Sequence, residues 1–227
     1  MERSLDILLS SVAILLLSPL LLPIAITLRF TGEGEVFYKQ TRIGRGGKTF
    51  ELIKFATMLK DSPNMGTGTV TVKDDPRVLP MGRFLRKSKI NELPQLINIL
   101  IGDMSVIGPR PHAIKNFASF SDAQKAIVTQ VRPGLSGIGS IVFRDEENLL
   151  FSVDDPVALH RDYFMPYKGQ LEEWYVRHNS TGTYFMLIWM TVLAVISPNS
   201  TQVWRVFPDL PAPTEKIAKL LNYRSGA

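Results

Sequence analysis

The chain of 227 residues contains no cysteine, and this absence excludes two kinds of site. A disulfide framework and a thiolate metal site are both ruled out, which is consistent with a domain in the cytoplasm. Only three histidines are present (His112, His160 and His178), and their wide spacing argues against a zinc site. The sequence also has no internal repeat and no low-complexity tract. With 45% apolar residues, it is expected to form one domain with a real core, together with a membrane segment.

The chain has only a small excess of positive charge. Lys and Arg number 26 and Asp and Glu number 21, which gives a formal net charge of +5. Such an excess suits a surface that lies against anionic lipid head groups or binds a phosphate-bearing substrate. A membrane-tethered nucleic-acid binder would have similar charge, but no recognisable binding module is present and aromatic residues are not interleaved with the basic run. We therefore expect no nucleic-acid partner.

One long apolar segment is present, and it covers residues 5–28. Its length is sufficient to reach across a hydrocarbon core of roughly 30 Å. Ser18-Pro19 and Pro23 interrupt it, and a proline lacks the N–H that an interior helical position donates. A plain transmembrane helix and a bent hairpin both fit, since membrane helices tolerate proline, whereas the length argues against a cleaved signal peptide. The basic residues between 29 and 48 indicate that this flank is cytoplasmic.

Shorter patterns predict the remaining secondary structure. Strands are predicted at Val36–Tyr38 and Thr49–Lys54, around a glycine-rich turn, and a loop is predicted over residues 61–76. Helical spacing and capping residues predict helices that begin near residues 91 and 121 and end at Gly102 and near residue 130. Further helices are predicted over residues 156–167, 170–178, 185–196 and 214–223. The helix at 185–196 is apolar but too short to span a membrane, so it is expected in the core or at the interface.

A cluster of cations precedes the predicted helix that begins at Asn91. Guanidinium groups and the free N–H groups of a helix start together favour a phosphate or pyrophosphate. Nearby carboxylates supply hard oxygen ligands suitable for Mg2+ on a nucleoside diphosphate. A basic surface that rests on lipid head groups is the alternative interpretation. The cations are Arg77, Arg83, Arg86, Lys87 and Lys89, and the carboxylates are Asp75, Glu92 and Asp103.

This block resembles the signature of the bacterial sugar transferases, the monotopic phosphoglycosyl transferases. The resemblance covers about residues 1–196, with the motifs in the same order and at similar spacing. The matching segments are Lys54-Phe55-Ala56-Thr57-Met58, Asp75-Pro76-Arg77-Val78, Leu85-Arg86-Lys87, Asn91-Glu92-Leu93-Pro94-Gln95, Gly102-Asp103-Met104-Ser105, Gly108-Pro109-Arg110-Pro111 and Arg132-Pro133-Gly134-Leu135-Ser136-Gly137.

The resemblance implies an α/β, helix-rich fold with interfacial amphipathic helices. It implies a re-entrant membrane helix over residues 1–30 whose helix–break–helix point is Ser18-Pro19, so that both ends stay cytoplasmic. A compact catalytic domain over residues 31–197 and a C-terminal extension over residues 198–227 would follow. The implied location is the cytoplasmic face of the bacterial inner membrane.

The implied reaction moves a sugar-1-phosphate from a UDP-sugar to polyprenol (undecaprenyl) phosphate and releases UMP, with Mg2+ as cofactor. It would be the first membrane step in assembling a polysaccharide such as a capsule or O-antigen. Membrane lipid, a second copy in a homodimer and downstream glycosyltransferases are the further partners that the resemblance suggests. The residues carried over are Asn91 and Glu92 as catalytic residues, Lys54, Arg77, Arg86, Lys87, Arg110, Pro111, Arg132 and Glu172 as substrate-binding residues, Glu92 and Asp103 as metal ligands, and Ser18 and Pro19 as membrane residues.

The chain departs from the family pattern at Asn91, where the family has a nucleophilic Asp. Four explanations remain open: attack by Glu92, direct transfer between the substrates, an introduced Asp→Asn change, and loss of activity that leaves a membrane-bound nucleotide-sugar binder or adaptor. Consecutive side chains on an α-helix point about 100° apart, so Glu92 does not simply inherit the position of residue 91. As Asn and Asp are nearly equal N-caps, Asn91 also fits a purely structural role at the helix start. An active enzyme is favoured because the remaining phosphate-binding motifs are complete.

A second departure follows Gly137, where the family often continues with Trp-Ala-Gln. This chain has Ile138-Gly139-Ser140 and then an acidic run at residues 145–147. That run is interpreted as a solvated surface, with contact to metal or sugar as the alternative. Two Asn-x-Thr tripeptides, at Asn179 and Asn199, carry no meaning if the domain is cytoplasmic.

Overall fold

The computed structural model describes residues 2–66, 71, 74–151, 153–196 and 202–223. It confirms a helix-rich α/β fold, with two small sheets. The strands are β1 (Phe37–Ile43), β2 (Thr49–Phe55), β3 (Ser105–Ile107) and β4 (Gly134–Ser136). The helices are α1 (Glu2–Arg29), α2 (Pro80–Lys87), α3 (Gln95–Ile101), α4 (Ile114–Phe117), α5 (Asp122–Val128), α6 (Ile138–Val142), α7 (Glu146–Phe151), α8 (Pro156–Leu159), α9 (Met165–Arg177), α10 (Thr181–Ile196), α11 (Gln202–Val206) and α12 (Glu215–Leu220).

Helix α1 lies along the folded domain with one face turned inward. The inward residues recur every three or four positions, which is the spacing of one helix face. The opposite face exposes large apolar side chains such as Leu15 and Leu16. By length and composition alone, α1 could cross a membrane. Its buried and partly buried inward residues are Asp6, Ser10, Ala13, Ile14, Leu17, Leu21, Ile24, Ala25 and Leu28.

The predicted break at Ser18-Pro19 is wrong, because α1 remains helical through Pro19 and Pro23. Pro19 cannot donate a hydrogen bond to the Leu15 carbonyl, four residues earlier. The Ser18 hydroxyl donates to that same carbonyl at 2.8 Å. The side chain thereby replaces the hydrogen bond that proline removes, which is one way in which apolar helices accommodate proline.

The N-terminal end of α1 is attached to the domain by polar contacts. The Arg3 guanidinium donates to the Ile99 and Leu100 carbonyls at the end of α3, at 2.5 and 2.8 Å. The Asp6 side chain is 1% exposed and accepts three hydrogen bonds on Oδ1. The donors are the Ser105 hydroxyl, the Val106 N–H and the Tyr184 hydroxyl, at 2.9, 2.9 and 2.8 Å.

The C-terminal end of α1 is attached to the same domain by apolar packing. Ile24 and Leu28 form a buried cluster with Phe55 of β2 and Leu85 of α2. Both ends of α1 therefore contact one folded unit.

Each of the two sheets is a pair of strands. β1 and β2 are antiparallel, with Phe37 opposite Phe55, and both strands are longer than predicted. β3 and β4 are parallel and bring the Gly108–Arg110 segment beside residue 134. A Cβ atom on Gly134 would overlap the backbone of Gly108, so the close approach requires glycine there.

The main apolar core joins α6, α9 and α10 to the C-terminal part of the chain. Phe164, Leu171 and Leu187 are fully buried in it. Val203 and Ile217 belong to the same cluster, so residues 202–223 pack on the domain that precedes them.

Some predicted helices differ from the observed ones. The predicted helix start at Asn91 is wrong, since Ile90–Glu92 form a 3-10 turn and α3 begins at Gln95 after Pro94. α3 ends at Gly102 as predicted, with a φ of 103° that favours glycine. The predicted helices over 156–167 and 170–178 form one run from α8 to α9 through a π turn at His160–Phe164.

The other helix predictions agree better with the structure. Ser121 caps α5 in a capping box, as its position predicted. α10 covers the predicted apolar helix, and α12 lies within the predicted C-terminal one. Within the predicted loop, Ser62–Asn64 form a 3-10 turn, and residues 67–70 and 72–73 lie outside the described part of the chain.

Candidate functional site

A cavity of about 530 Å3, the main cavity below, lies within the described part of the chain. Its lining comes from β1, β2, the Ile90–Glu92 turn, the segment around residues 110–113, α6, α9 and α10. Cationic side chains contribute one part of this lining, and apolar side chains of α10 contribute another. Mixed linings of this kind are typical of ligand sites.

Glu92 is held between two cations in the cavity lining. Its Oε1 atom lies 3.3 Å from Nζ of Lys54 on β2 and 3.2 Å from Nη2 of Arg110. The Lys54 and Glu92 side chains expose only 17% and 19% of their surface. The fold therefore brings together three of the predicted site residues from distant parts of the sequence.

The surrounding charges keep the Glu92 carboxylate ionised. Burial raises its pKa, but Lys54, Arg110 and Lys89 lower it by more, so the net pKa is well below the usual range. Burial lowers the pKa of Lys54 to about 8, although Glu92 opposes this change. Burial, together with Arg110, lowers the pKa of Arg42 to about 10.

Asn91 lines the same cavity as Glu92. The two side chains share it because they lie in a 3-10 turn before α3 and not at the start of an α-helix. Asn91 is 7% exposed, and its Oδ1 accepts no hydrogen bond from any described residue. The predicted capping role of Asn91 is wrong, because α3 begins after Pro94 and has no side-chain cap.

The described lining offers two kinds of oxygen suited to a divalent cation near Lys54. They are the Glu92 carboxylate and the unpaired Asn91 Oδ1. Mg2+ commonly uses one or two protein oxygens together with substrate phosphates, so this donor set fits such an ion. No group of three or more Asp, Glu, His or Cys side chains suited to a metal occurs within the described residues.

Asp103 does not line this cavity, contrary to its predicted pairing with Glu92 as a metal ligand. Glu92 precedes α3 and Asp103 follows it, and a helix of seven residues separates its ends by roughly 10 Å. The Asp103 carboxylate instead accepts from Nδ2 of Asn98 at 3.3 Å.

Arg86 and Lys87 lie where cations are concentrated. A second cavity, of about 310 Å3, is lined by both residues and by Arg83. Arg86, Lys89 and Arg144 line both cavities, so the two spaces share a basic border. The Arg86 Nη2 atom also donates to the Thr71 hydroxyl at 2.8 Å.

Arg77 is buried and stabilises the preceding loop, contrary to its predicted role in substrate binding. Its side chain is 4% exposed and forms an ion pair with Asp75 at 2.5 Å. It also donates to the Ser62 and Met65 carbonyls, at 2.9 and 2.8 Å. Arg77 lines neither cavity, because its guanidinium is used to hold the preceding loop.

Arg132 and Pro111 also lie outside the main cavity lining, contrary to their predicted roles in substrate binding. Arg132 Nε donates to the Gly102 carbonyl at 2.9 Å, which fixes the end of α3. The Pro111 carbonyl accepts from Nη1 of Arg42 at 3.1 Å. Both residues therefore support segments next to the cavity.

Glu172 lies behind the Arg110 segment. It is 1% exposed, does not line the main cavity, and accepts from the Arg110 N–H at 3.2 Å. Burial raises its pKa to about 7, partly offset by the Arg110 N–H and by the Lys168 and Arg110 charges. Glu172 therefore positions Arg110, contrary to its predicted role in binding substrate.

Sequence reasoning missed several polar residues that line the cavity. Arg42 and Lys168 lie outside the motifs, and the histidines were considered only as zinc ligands. The acidic run did give a signal for Glu146, which lines the cavity, whereas the side chain of Glu147 lies outside the described part. The missed residues are Arg42, His112, His160 and Lys168.

Apolar residues of α10 form another part of the cavity lining, with Ile188, Val192 and Val195 among them. Neighbouring residues of α10 expose large apolar side chains to the outside, including Trp189, which is 59% exposed. The cavity thus adjoins an exposed apolar surface.

Comparison with curated proteins identifies relatives over most of this chain. It is 38% identical over 159 residues to the exopolysaccharide production protein ExoY of Rhizobium meliloti, covering 64% of this chain and 70% of that protein. It is 36% identical over 166 residues to a UDP-glucose:undecaprenyl-phosphate glucose-1-phosphate transferase of Escherichia coli, covering 72% of this chain and 36% of that protein. An uncharacterized sugar transferase of Haemophilus influenzae is 30% identical over 211 residues, covering 87% of this chain and 41% of the relative.

The chain thus spans less than half of the length of two of these relatives. The match to the family itself is more extensive, because residues 1–198 correspond to the bacterial sugar transferase family. This range contains α1, the cavity and the ionic cluster. The chain therefore belongs to the bacterial sugar transferase family.

Proposed function

We propose that this protein is a phosphoglycosyl transferase that moves a sugar-1-phosphate from a UDP-sugar to polyprenol (undecaprenyl) phosphate and releases UMP. The observation that carries the proposal is the Lys54–Glu92–Arg110 cluster, which lies in a cavity beside an exposed apolar surface. Sugar transferase relatives, one of them named for this reaction with glucose, support the same activity.

The cations of the cavity suit the donor diphosphate. Arg42, Lys54, Arg86, Lys89 and Arg110 all contribute to its lining. Arginine binds phosphate through two parallel hydrogen bonds, and lysine adds a mobile positive charge. These groups would hold the diphosphate and stabilise the negative charge that develops on the departing UMP.

Mg2+ is the cofactor that we propose for this site. Glu92 and Asn91 Oδ1 would hold the ion together with the diphosphate oxygens. When bound, the ion would neutralise charge on the transferring phosphoryl group. A neutral carboxamide attracts a cation less than a carboxylate does, so the Asn91→Asp variant should bind Mg2+ more tightly.

Glu92 is proposed as the nucleophile. Both cations contact Oε1, and Oε2 accepts no hydrogen bond from any described residue. A Glu92 oxygen would bond to the phosphorus that carries the sugar, while the bond from that phosphorus to the UMP oxygen breaks. An oxygen of polyprenol phosphate would then bond to the same phosphorus, and the Glu92 carboxylate would leave unchanged.

The apolar surfaces suit the acceptor. Its phosphate would enter the cationic part of the cavity, while its polyprenyl chain would lie against α10, where Val192 and Val195 line the cavity. Burial of the chain in lipid beside α1 and α10 would keep the acceptor near the site. This arrangement needs the domain to lie at the membrane surface.

The contacts of α1 support placing both of its ends on the cytoplasmic side of the inner membrane. Arg3 and Asp6 at one end, and Leu28 at the other, contact the same domain. A helix that crossed the membrane completely would have to detach its N-terminal end and expose the Asp6 carboxyl group. The helix is therefore proposed to lie in one leaflet, despite its continuity through Ser18-Pro19.

UMP release tests the proposed reaction. The detergent-purified protein would be incubated with Mg2+, undecaprenyl phosphate and UDP-glucose, UDP-galactose or UDP-N-acetylglucosamine. Wild-type protein should release UMP with at least one donor, and Glu92→Gln should abolish release. Asp162→Asn, a matched control at a surface ion pair, should keep full activity.

No UMP release with any donor would contradict the proposal. If Asn91→Asp alone were active, the wild-type chain would be a nucleotide-sugar binder that lacks the nucleophile. Initial rates test the role of Glu92 separately. A two-step reaction through Glu92 gives parallel double-reciprocal lines when both substrates are varied, whereas direct transfer gives intersecting lines.

Topology can be tested by labelling, because the chain contains no cysteine. Single cysteines introduced at Ser4 and Thr31 should both react from the cytoplasmic side in intact cells and inverted vesicles. Labelling of the two positions from opposite sides would show a complete crossing of the membrane.

A further inference from the structure

The main cavity contains a second charged cluster, separate from the Glu92 cluster. We propose that Glu146, His160 and Lys168 bind the hydroxyl groups of the donor sugar and thereby select which UDP-sugar is used. This inference rests on the proposed transferase function and adds to it the group that reads the sugar.

The three side chains form a fixed arrangement in the cavity lining. The Oε1 atom of Glu146 lies 2.6 Å from Nζ of Lys168 and 3.4 Å from Nε2 of His160. Lys168 is 5% exposed in its side chain, and its ammonium group also lies 4.9 Å from the centre of the Phe143 ring. A carboxylate held on one oxygen by two partners loses little conformational entropy when its other oxygen binds a ligand.

In the main cavity, several polar atoms have no hydrogen-bond partner among the described residues. Within the described part of the chain, no residue donates to Oε2 of Glu146. His112 Nε2 and Ser140 Oγ are buried in the protein, belong to residues that line the same cavity, and likewise have no partner among the described residues. Unpaired buried polar atoms are costly, and a ligand with several hydroxyl groups can satisfy both donors and acceptors. Sugars have this chemistry.

The position of the cluster favours the sugar over the uridine. Arg110 donates to Glu92 and is also close enough to Glu146 for each charge to affect the pKa of the other. The phosphorus that is transferred carries the sugar, whereas the uridine is attached to the other phosphorus. With the transferred phosphorus beside Glu92 and Arg110, the sugar is attached directly to it and the uridine lies beyond a second phosphorus, so the space near Glu146 is assigned to the sugar.

The sequence is consistent with a role in selectivity. Glu146 follows Ile138-Gly139-Ser140, where this chain departs from the pattern that the family often shows. Apart from Asn91, the phosphate-binding motifs match that pattern. A site that reads the sugar is the part of the cavity that should differ between transferases for different sugars.

Binding measurements on variants test this inference. Glu146→Gln and Ser140→Ala would be compared with wild type by calorimetry, using UDP and the three UDP-sugars named above. Glu146→Gln should weaken binding of the preferred UDP-sugar by about tenfold to a hundredfold, the loss expected for a hydrogen bond to a charged group. Ser140→Ala should have a smaller effect in the same direction, and binding of UDP should change less than about twofold in both.

The comparison with UDP makes the outcomes distinct. Unchanged UDP binding shows that a variant is folded and that its phosphate site is intact. Glu173→Gln, a matched change at a surface pair with Arg177, should alter neither affinity. Equal weakening of UDP and UDP-sugar binding would indicate that the uridine, and not the sugar, lies at the cluster. If neither affinity fell, the cluster would not take part in binding the donor. Either result would overturn the inference. Failure of the wild-type protein to bind any UDP-sugar would instead overturn the proposed function itself.

Discussion

The polar attachment of α1 allows a quantitative test of how this helix is held on the domain. Asp6 lies in the apolar segment and is 1% exposed, and its Oδ1 atom accepts from Ser105, Val106 and Tyr184 at 2.8–2.9 Å. The change Asp6→Ala would remove the acceptor for all three donors. It would leave the Val106 N–H without a partner, because a backbone group cannot turn away as a hydroxyl can.

The expected loss of stability follows from these contacts. Leaving a buried donor unpaired costs about 1–3 kcal/mol, and each lost hydrogen bond contributes about 1 kcal/mol. We therefore expect the free energy of unfolding to fall by about 4 kcal/mol in Asp6→Ala. For a chain of this size, 1 kcal/mol corresponds to a melting shift of about 2–4 °C, so the expected shift is roughly 8–16 °C. Asp6→Asn keeps an oxygen acceptor and should shift the melting temperature by only about 2–4 °C.

The assay is thermal unfolding in one detergent, followed by tryptophan fluorescence. Leu8→Ala is the matched control, since Leu8 is in the same turn of α1 but is 59% exposed. If Asp6→Ala melted at the same temperature as Leu8→Ala, the attachment of the α1 N-terminus would contribute nothing to stability. The reasoning about its topology would then lose its main support.

Three further predictions concern the domain. The rate of UMP release should fall as pH rises through about 8, because Lys54 then loses the proton that holds Glu92, and Lys54→Arg should move this fall to higher pH in a rate profile. Burial raises the pKa of Glu172 from 4.5 to about 7, so between these pH values the folded state binds a proton that the unfolded state does not. The free energy of unfolding should therefore fall as pH rises from about 4.5 to 7. Denaturant titrations of Glu172→Gln should lack this slope, which amounts to roughly 3 kcal/mol, and an unchanged slope would contradict the assignment. Gly82→Ala should lower the melting temperature, because its Cβ would overlap the Thr57 carbonyl. Gly182→Ala should not, because its Cβ would make only an ordinary van der Waals contact with the Ser180 hydroxyl, at 3.8 Å.

Much of the fold could be predicted because its signals are local. Helical spacing, the Ser121 cap and the glycine at residue 102 each act within a few residues, so the corresponding elements were found near their observed positions. The prediction of a break at Ser18-Pro19 was wrong, and the interaction that keeps the helix continuous there is also local. The Ser18 hydroxyl supplies the hydrogen bond that Pro19 cannot, and the general rule for proline does not include that compensation.

The candidate site could be predicted only in part. Motifs identified Lys54, Glu92 and Arg110, and the structure joins them in one cluster. The same motifs also contain Arg77 and Asp103, but in the structure Arg77 pairs with Asp75 and Asp103 accepts a hydrogen bond from Asn98. A motif records which residues occur together along the sequence, but it does not tell which of them share a cavity.

The sequence by itself determined the apolar helix, the absence of thiol chemistry, the concentration of cations before α3 and the family. Only the tertiary structure decided that Asn91 and Glu92 face one cavity, that both ends of α1 contact one domain, and that Glu146 meets Lys168 there. The physical reason is the range of the interactions. Apolar spacing and caps act between near neighbours in the chain, whereas a cavity is formed by side chains from segments that meet only after the core has packed.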